Sequence, residues 1–458
     1  MVCLHMARKL IQNGDIVSLD EDVGDLENGD ILIEDGEIID IGQDLSDTAG
    51  GAEVVDASDH VVVPGFVDSH IHLAQTQVRG IAGDWSLMGE YFEHMLGNIT
   101  GLYQPEDMYL GGLFGALEKL YTGTTTALDW SYPNSLEHGE RAVDALKDAG
   151  LRTVYTYGPP GDDAAKWWYD SDVGLPEQNI RELYNEEIRD DDLLSLAIGL
   201  RGPDFCTDEI ARSDLELARD MGVIATIHMG AAQWTSSEYN PGYQGFGAIE
   251  DMLGPDVNIA HANHFSQEEV QHAVDQGATF SSTPEVEMQM GHGIPVTGKV
   301  LDAGGRVAWG VDVCSNVSGD MGSQMRIGLQ VHRMLENQDL LEAGEEVIET
   351  ELSAQETLEM ATVEGAKALG MEDEIGTLTP GKRADIVMID MNDFMTAPSH
   401  SPVQTAVFQA DQSHIDTVLV DGEFRVRDGE LLNDLVDEEF DRFVESGERL
   451  IEEAGIDM

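Results

Sequence analysis

Pro64-Gly-Phe-Val-Asp-Ser-His70-Ile-His72-Leu73 is an apolar run that ends in two histidines one residue apart. Side chains along a strand alternate with a period of two, so His70 and His72 leave the same face, where one cation can take both imidazoles. Two strand histidines can equally be satisfied by hydrogen bonds, so the pair alone does not decide. The decisive observation is that the pattern recurs. Val61-Val62-Val63 reads as a buried strand just upstream, with Pro64-Gly65 marking the step between the two. Further on, His228 closes Val223-Ile-Ala-Thr-Ile-His228, His261 closes Val257-Asn-Ile-Ala-His261, and Asp312 closes Val307-Ala-Trp-Gly-Val-Asp312. Each is a metal-ligand residue type at the C-terminal end of a short hydrophobic strand.

From about Pro64 to Gly370, β-like runs alternate with helical ones. Thr124-Thr-Thr-Ala-Leu-Asp is followed by a helix from Leu136 to Gly150 and by Arg152-Thr-Val-Tyr-Thr-Tyr. Glu268 to Gly277 reads as an amphipathic helix with a glycine stop before the strand Ala278-Thr-Phe-Ser-Ser. A helix over Glu349 to Gly370 completes the series. This alternation, with functional residue types at strand ends, predicts an α/β protein with a (β/α)8 TIM-like barrel over 64–370. The flanks differ. Leu10-Ile-Gln-Asn-Gly-Asp-Ile-Val and the stretch from Gly29 to Gly42 are short strands whose Asn-Gly and Asp-Gly signals indicate hairpins, with Met6 as a candidate start. Ala384-Asp-Ile-Val-Met-Ile-Asp and Ile415 to Val426 repeat the style. Neither flank has strands enough for its own core, so 1–63 and 371–432 are expected to form one small β-sandwich from both chain ends. Residues 433–458 read as an acidic helix with a solvated face.

The chain has 458 residues and is 41% hydrophobic, enough for a large core. Its 89 acidic against 24 basic residues give a formal net charge of −65. Such charge is tolerated in concentrated, screening salt, so a halophilic protein from an acidic proteome is expected. The acids are spread through patterned sequence, which excludes a disordered acidic tail, and no basic stripe exists to bind nucleic acid. Cys3, Cys206 and Cys314 show no pairing pattern, and no apolar run reaches membrane-spanning length. The expectation is a soluble cytoplasmic protein with a small-molecule partner and no membrane partner; a homo-oligomer is compatible with it.

Taken together these motifs resemble the amidohydrolase superfamily, in the branch of triazine hydrolases and cytosine, guanine and S-adenosylhomocysteine deaminases. The resemblance covers nearly the whole chain. It rests on Pro64 to His72, Gln77-Val-Arg-Gly80, Gly123-Thr-Thr-Thr, His228, Ala260-His261, the strand end Gly310-Val-Asp312 with Ser315-Asn316, and Ile375 to Asp385. It implies one divalent metal, zinc first and iron second, with His70, His72, His228 and Asp312 as ligands and His261 beside the metal water and a heterocyclic substrate. Three imidazoles and a carboxylate leave a positive ion with an open position, so a bound water can ionise near neutral pH and hydrolyse a C–N or C–halogen bond. His261 and Asp312 are the residue types that can then move protons and steady developing charge.

The sequence departs from the family at one point. The family's deaminases carry His-x-x-Glu at the third histidine, where the Glu shuttles protons; here the string is His228-Met-Gly-Ala231. Glu285, Glu287 or His264 could take over, or the substrate needs no shuttle. The competing reading is a barrel with altered catalysis, serving as a binding or regulatory protein. Further candidates for substrate contact are Arg79, Trp85, Arg201, His264 and His292. The plainer accounts are an ion pair with local acids for Arg201, core packing for Trp85 with Met88 and Tyr91, and a loop position for His264. Cys314 reads as a packed side chain rather than a nucleophile.

Overall fold

A computed structural model describes residues 8–159, 174–233 and 245–456; Cys3 and Met6 lie outside them. The N-terminal segment forms five strands: β1 (Arg8–Ile16), β2 (Leu26–Glu34), β3 (Glu37–Gly42), β4 (Glu53–Asp56) and β5 (His60–Pro64). Eight parallel strands follow: β6 (Phe66–Ile71), β7 (Thr124–Ser131), β8 (Arg152–Tyr157), β9 (Leu194–Leu200), β10 (Ile224–Met229), β11 (Val257–His261), β12 (Thr279–Ser282) and β13 (Val307–Trp309). They pair in chain order, and the ring closes where Ile71 bridges Asp312. Helices cover the outside, so the strands are buried on both faces and read as near-continuous apolar runs.

β13 has only three residues, too few to zip the seam to β6 by a ladder alone. Side chains supply the rest. Asp68 Oδ1 accepts from the amides of His70 and Val311 at 3.1 and 3.2 Å, while Asp68 Oδ2 meets the fully buried Lys119 ammonium at 2.7 Å. Ser69 donates to the Trp309 carbonyl at 2.9 Å. Gly65 is required at the entry to β6, because a Cβ there would lie 2.0 Å from Thr125 Oγ1.

Both chain ends build a second, nine-stranded sheet, which β14 (Ile386–Asp390), β15 (Ile415–Val420), β16 (Glu423–Arg427) and β17 (Glu430–Leu431) complete by pairing β14 with β5. Glu37 at the far edge bridges Arg383 just before β14, so the sheet curls back over a core that includes Ile11, Ile31, Ile38, Val62, Ile386 and Leu419. The sheet is fixed to the barrel by Arg152 of β8, whose Nε and Nη2 donate to the two oxygens of Asp385 at 2.8 and 3.0 Å. That pair accounts for the last residue of the Gly381-Lys-Arg-Ala-Asp385 motif.

Three expectations need correction. Asn13-Gly14 and Asn28-Gly29 are not hairpin turns: both lie inside strands, facing each other across β1 and β2 where the register shifts. Their left-handed asparagines (φ 65° and 51°) make bulges, whereas Asp35-Gly36 and Asp421-Gly422 do turn the chain. The helix over 349–370 is two, Ala354–Met360 and Val363–Ala368, broken at the non-helical Thr362. The break leaves the Ala361 carbonyl to accept from Val67 of β6 at 2.7 Å. The C-terminal helix, Leu435–Ala454, is acidic but not solvated all round: Phe443 stacks on Phe114 at 4.3 Å and Leu450 is fully buried.

Candidate metal centre and active site

His70 and His228 are the next-to-last residues of β6 and β10 and His261 is the last of β11; His72 and Asp312 follow one and three residues beyond β6 and β13, and all five converge at the C-terminal mouth of the barrel. His261 and Asp312 hold left-handed backbone, φ 75° and 72°, a costly conformation for residues with a Cβ that is tolerated where the surroundings impose it. His70 Nε2 lies 3.1 Å from His228 Nε2 and 3.5 Å from Asp312 Oδ1, and His72 Nε2 lies 3.4 Å from the same oxygen. Four donors each about 2.05 Å from a shared tetrahedral ion would sit about 3.3 Å apart. The measured separations are of that size, and His70 belongs to two groups whose donors lie within 4.8 Å of one another, one with His72 and Asp312 and one with His228 and His261. His261 Nε2 is 3.9 Å from Asp312 Oδ2, beside this set.

Hydrogen bonds orient the rings from behind. His72 Nδ1 donates to the Trp130 carbonyl at 2.6 Å, which leaves its Nε2 lone pair for the centre. His261 Nδ1 faces Glu287 Oε1 and Thr283 Oγ1, each at 3.4 Å. Glu287 is itself fixed, accepting from the Thr283 amide at 3.0 Å and the Ser282 hydroxyl at 3.2 Å. Burial, with His70 alongside, pushes His72 down to about 3, and burial likewise holds His228 below the ordinary imidazole range. Asp312 is buried too, yet the surrounding imidazoles of His70, His261 and His72 hold its carboxyl below the ordinary range. His261 is the exception among the rings: burial opposes its charge, but Glu287 and Asp312 outweigh it and raise its pKa.

Above these groups opens a narrow cleft with about 50 Å³ of free space. Tyr91, Phe92, Tyr132 and Phe205 make its walls aromatic, with Leu87, Leu96 and Met290 filling between them. The Tyr132 ring stacks on His72 at 5.1 Å with a 10° interplanar angle. Such a slot suits a flat heteroaromatic ring. Tyr91 is braced by Gln75, which donates to its hydroxyl at 2.8 Å, and Gln75 in turn accepts from Ser315 at 3.2 Å. Ala231 is half-buried in the cleft wall beside His228.

The remaining candidates divide. His292 lines the cleft edge-on to His261, 4.9 Å between centroids, with neither ring nitrogen hydrogen-bonded among the described residues. His264 does not reach the cleft; it donates to the His292 carbonyl at 2.6 Å and so holds that loop. Arg79 is outside as well, paired with Glu118 at 2.7 Å. Arg201 is wholly buried at the end of β9, close enough to Asp214 to act on its charge, and lines no part of the cleft. Trp85 packs on His94, whereas Tyr91 six residues later is the aromatic that faces the cleft. Cys314 is buried and its thiol pushed up to about 12, so it is no nucleophile. Tyr132 and Phe205 were not singled out in the sequence; each follows a strand end by a few residues, which was the available signal.

The amidohydrolase family profile matches residues 61–425. A 5'-deoxyadenosine deaminase from Methanosarcina mazei is 29% identical over 470 aligned positions, covering 98% of each chain. A 5-methylthioadenosine/S-adenosylhomocysteine deaminase from Symbiobacterium thermophilum is 29% identical over 465, covering 98% of this chain and all of the relative (100%). Among solved structures, an adenosine deaminase from Xanthomonas campestris with bound zinc superposes with a TM-score of 0.84 at 21% identity, over 97% of this chain and 98% of its own. The zinc-bound atrazine chlorohydrolase of Arthrobacter aurescens gives 0.82 at 23% identity, over 97% and 100%. No described helix is long and apolar enough to cross a membrane.

Proposed function

The chain belongs to the amidohydrolase family, and from that premise we propose that it deaminates an amino-substituted nitrogen heterocycle by hydrolysis, with adenine nucleosides modified at the 5' position as the first substrates to test. The observation that carries this is the gathering of His72, His228 and Asp312 around His70, with His228 and Asp312 donors 3.1 and 3.5 Å from its Nε2, beneath an aromatic slot. His70, His72, His228 and Asp312 would hold the ion, zinc by the nature of the donors. When bound, a divalent cation supplies Lewis acidity and brings the pKa of water down to about 7.

The chain's own residues do the rest. Tyr132 and Phe205 stack the ring, and the apolar walls keep bulk water from it. Asp312 Oδ2 takes the proton of the attacking water. That proton passes to His261 Nε2, 3.9 Å away, which gives it to the amine nitrogen so that it leaves as ammonia. Glu287 accepts from His261 Nδ1 and so keeps Nε2 aimed at the cleft. Ala231 cannot contribute, so the carboxylate behind His261 stands in for the one missing beside His228. Of the three substitutes considered, Glu285 is engaged with Gln324 at 2.8 Å and His264 with the His292 carbonyl; Glu287 alone touches a group that faces the cleft.

A binding or regulatory barrel finds no support: the donors, the cleft and the full-length likeness to deaminases are all retained. The test is ammonia release from 5'-deoxyadenosine, 5-methylthioadenosine, S-adenosylhomocysteine and amino- or chloro-triazines, using zinc-loaded protein in molar salt. Turnover of a purine supports the reading. Chloride release from a triazine with no ammonia from any purine would replace it with dehalogenation.

A further inference from the structure

Outside the cleft, helix Met321–Glu342 carries His332 and Glu336 four residues apart, so the two side chains leave the same face on successive turns. Glu351 approaches them from the loop that follows this helix. The His332 residue is only 4% exposed, its Nε2 has no hydrogen-bond partner among the described residues, and that nitrogen lies 3.6 Å from Glu351 Oε2. One donor atom from each of His332, Glu336 and Glu351 falls within 4.8 Å of the other two. None of the three lines the cleft.

The loop is held in place by other bonds. Arg333 Nε and Nη2 donate to the carbonyls of Glu351 and Leu352 at 3.0 and 2.7 Å. Its guanidinium is thus engaged with backbone, and the carboxylates keep their charge unneutralised by it. Partial burial, and then the negative charges of Glu351, Asp302 and Asp339, hold the Glu336 carboxyl above the ordinary range. A buried imidazole nitrogen with no hydrogen-bond partner, facing two carboxylates, is costly unless something positive lies between them.

We propose that His332, Glu336 and Glu351 form a second divalent-cation site, distinct from the cleft, which ties the loop after this helix to the helix itself. One imidazole and two carboxylates suit a borderline ion of the zinc or manganese kind, with water completing its coordination. The Glu351 side chain is 67% exposed, so the ion enters directly from solvent.

Zinc serves as the probe. Full-length protein in molar potassium chloride is saturated with zinc, dialysed, and its metal counted by mass spectrometry. Wild type should retain two ions per chain, and Glu351→Gln and His332→Ala one each. His70→Ala, which opens the cleft donors only, should also retain one. Glu351→Gln changes an exposed side chain and keeps the fold available for measurement should His332→Ala unfold. Zinc added to His70→Ala should raise its melting temperature, and the rise should vanish when Glu351→Gln is added. One ion in wild type with none in His70→Ala, or a count that Glu351→Gln leaves at two, overturns the proposal. Neither result bears on whether the cleft deaminates a purine.

Discussion

The backbone amide of Asp312 donates to the carbonyl of His70 at 2.8 Å, and the same strand end returns the bond, its carbonyl accepting from His72 at 2.8 Å. The seam of the barrel is therefore closed by residues whose side chains are proposed to share one ion. Ligand loss and seam loosening are coupled. His70→Ala should lose the cleft metal and all turnover, and stripping metal from wild type should lower its melting temperature, since an ion at a thousand times its Kd adds about 4 kcal/mol. Metal content in His70→Ala equal to that of wild type would remove the assignment.

His261 and Glu287 act together in this scheme. His261→Ala should cost about 10²- to 10⁴-fold in kcat with the metal count unchanged, the usual worth of a positioned acid or base. Glu287→Ala should lower kcat more than it raises KM, and the loss of the carboxylate from the Thr283 amide should cost about 1–3 kcal/mol of stability. Near-parental kcat in both variants means that the proton travels another way.

Ala231→Glu places a carboxylate in the cleft wall beside His228. The substitution should leave metal binding intact and raise the rate on aminopurines, measured as ammonia release. A variant that binds metal but deaminates no faster on any purine shows that Glu287 already supplies what the position could give.

His60 of β5 and Asp416 of β15 join the two chain ends, with Nε2 and Oδ2 3.6 Å apart. Burial disfavours the imidazolium, yet the Asp416 bond outweighs it and raises the His60 pKa. The folded pKa being the higher, the contribution is complete below about pH 6.5 and disappears as pH rises through the raised value. Both side chains are partly exposed, so the pair is worth about 1 kcal/mol or less. Melting curves from pH 5.5 to 8.5 should converge at the alkaline end for wild type and Asp416→Asn; parallel curves would contradict the pairing.

With 89 acidic residues against 24 basic ones, the folded state should depend on salt. The Debye length shrinks from about 30 Å at 0.01 M to about 3 Å at 1 M, so the melting temperature should climb steeply between them. A flat profile refutes salt adaptation.

The barrel, the sheet built from both ends and the five converging residues were legible because each rests on local pattern: alternation, turn glycines, and polar residues closing apolar runs. What was not legible depended on distance. Arg79 and Arg201 looked alike as rare cations, but only packing shows one at the surface against Glu118 and the other walled in near Asp214. Glu285 and Glu287 are two residues apart, and only the turn at Thr283 decides which faces His261. Asn13-Gly14 carries a strong turn signal that its partner Gly29 converts into a bulge.

The pairing of β5 with β14 sets Val63 against Val387 and Pro64 against Ile386. A ribosome delivers the first of each pair long before the second, by tens of seconds at about 5–20 residues per second. Throughout that interval the valine-rich strand at His60–Pro64 waits with an open edge, the kind that recruits a neighbouring chain. Until β14 arrives, β1 covers only the other side of this strand, where Asp15 and Ile16 pair with Val61 and Val62.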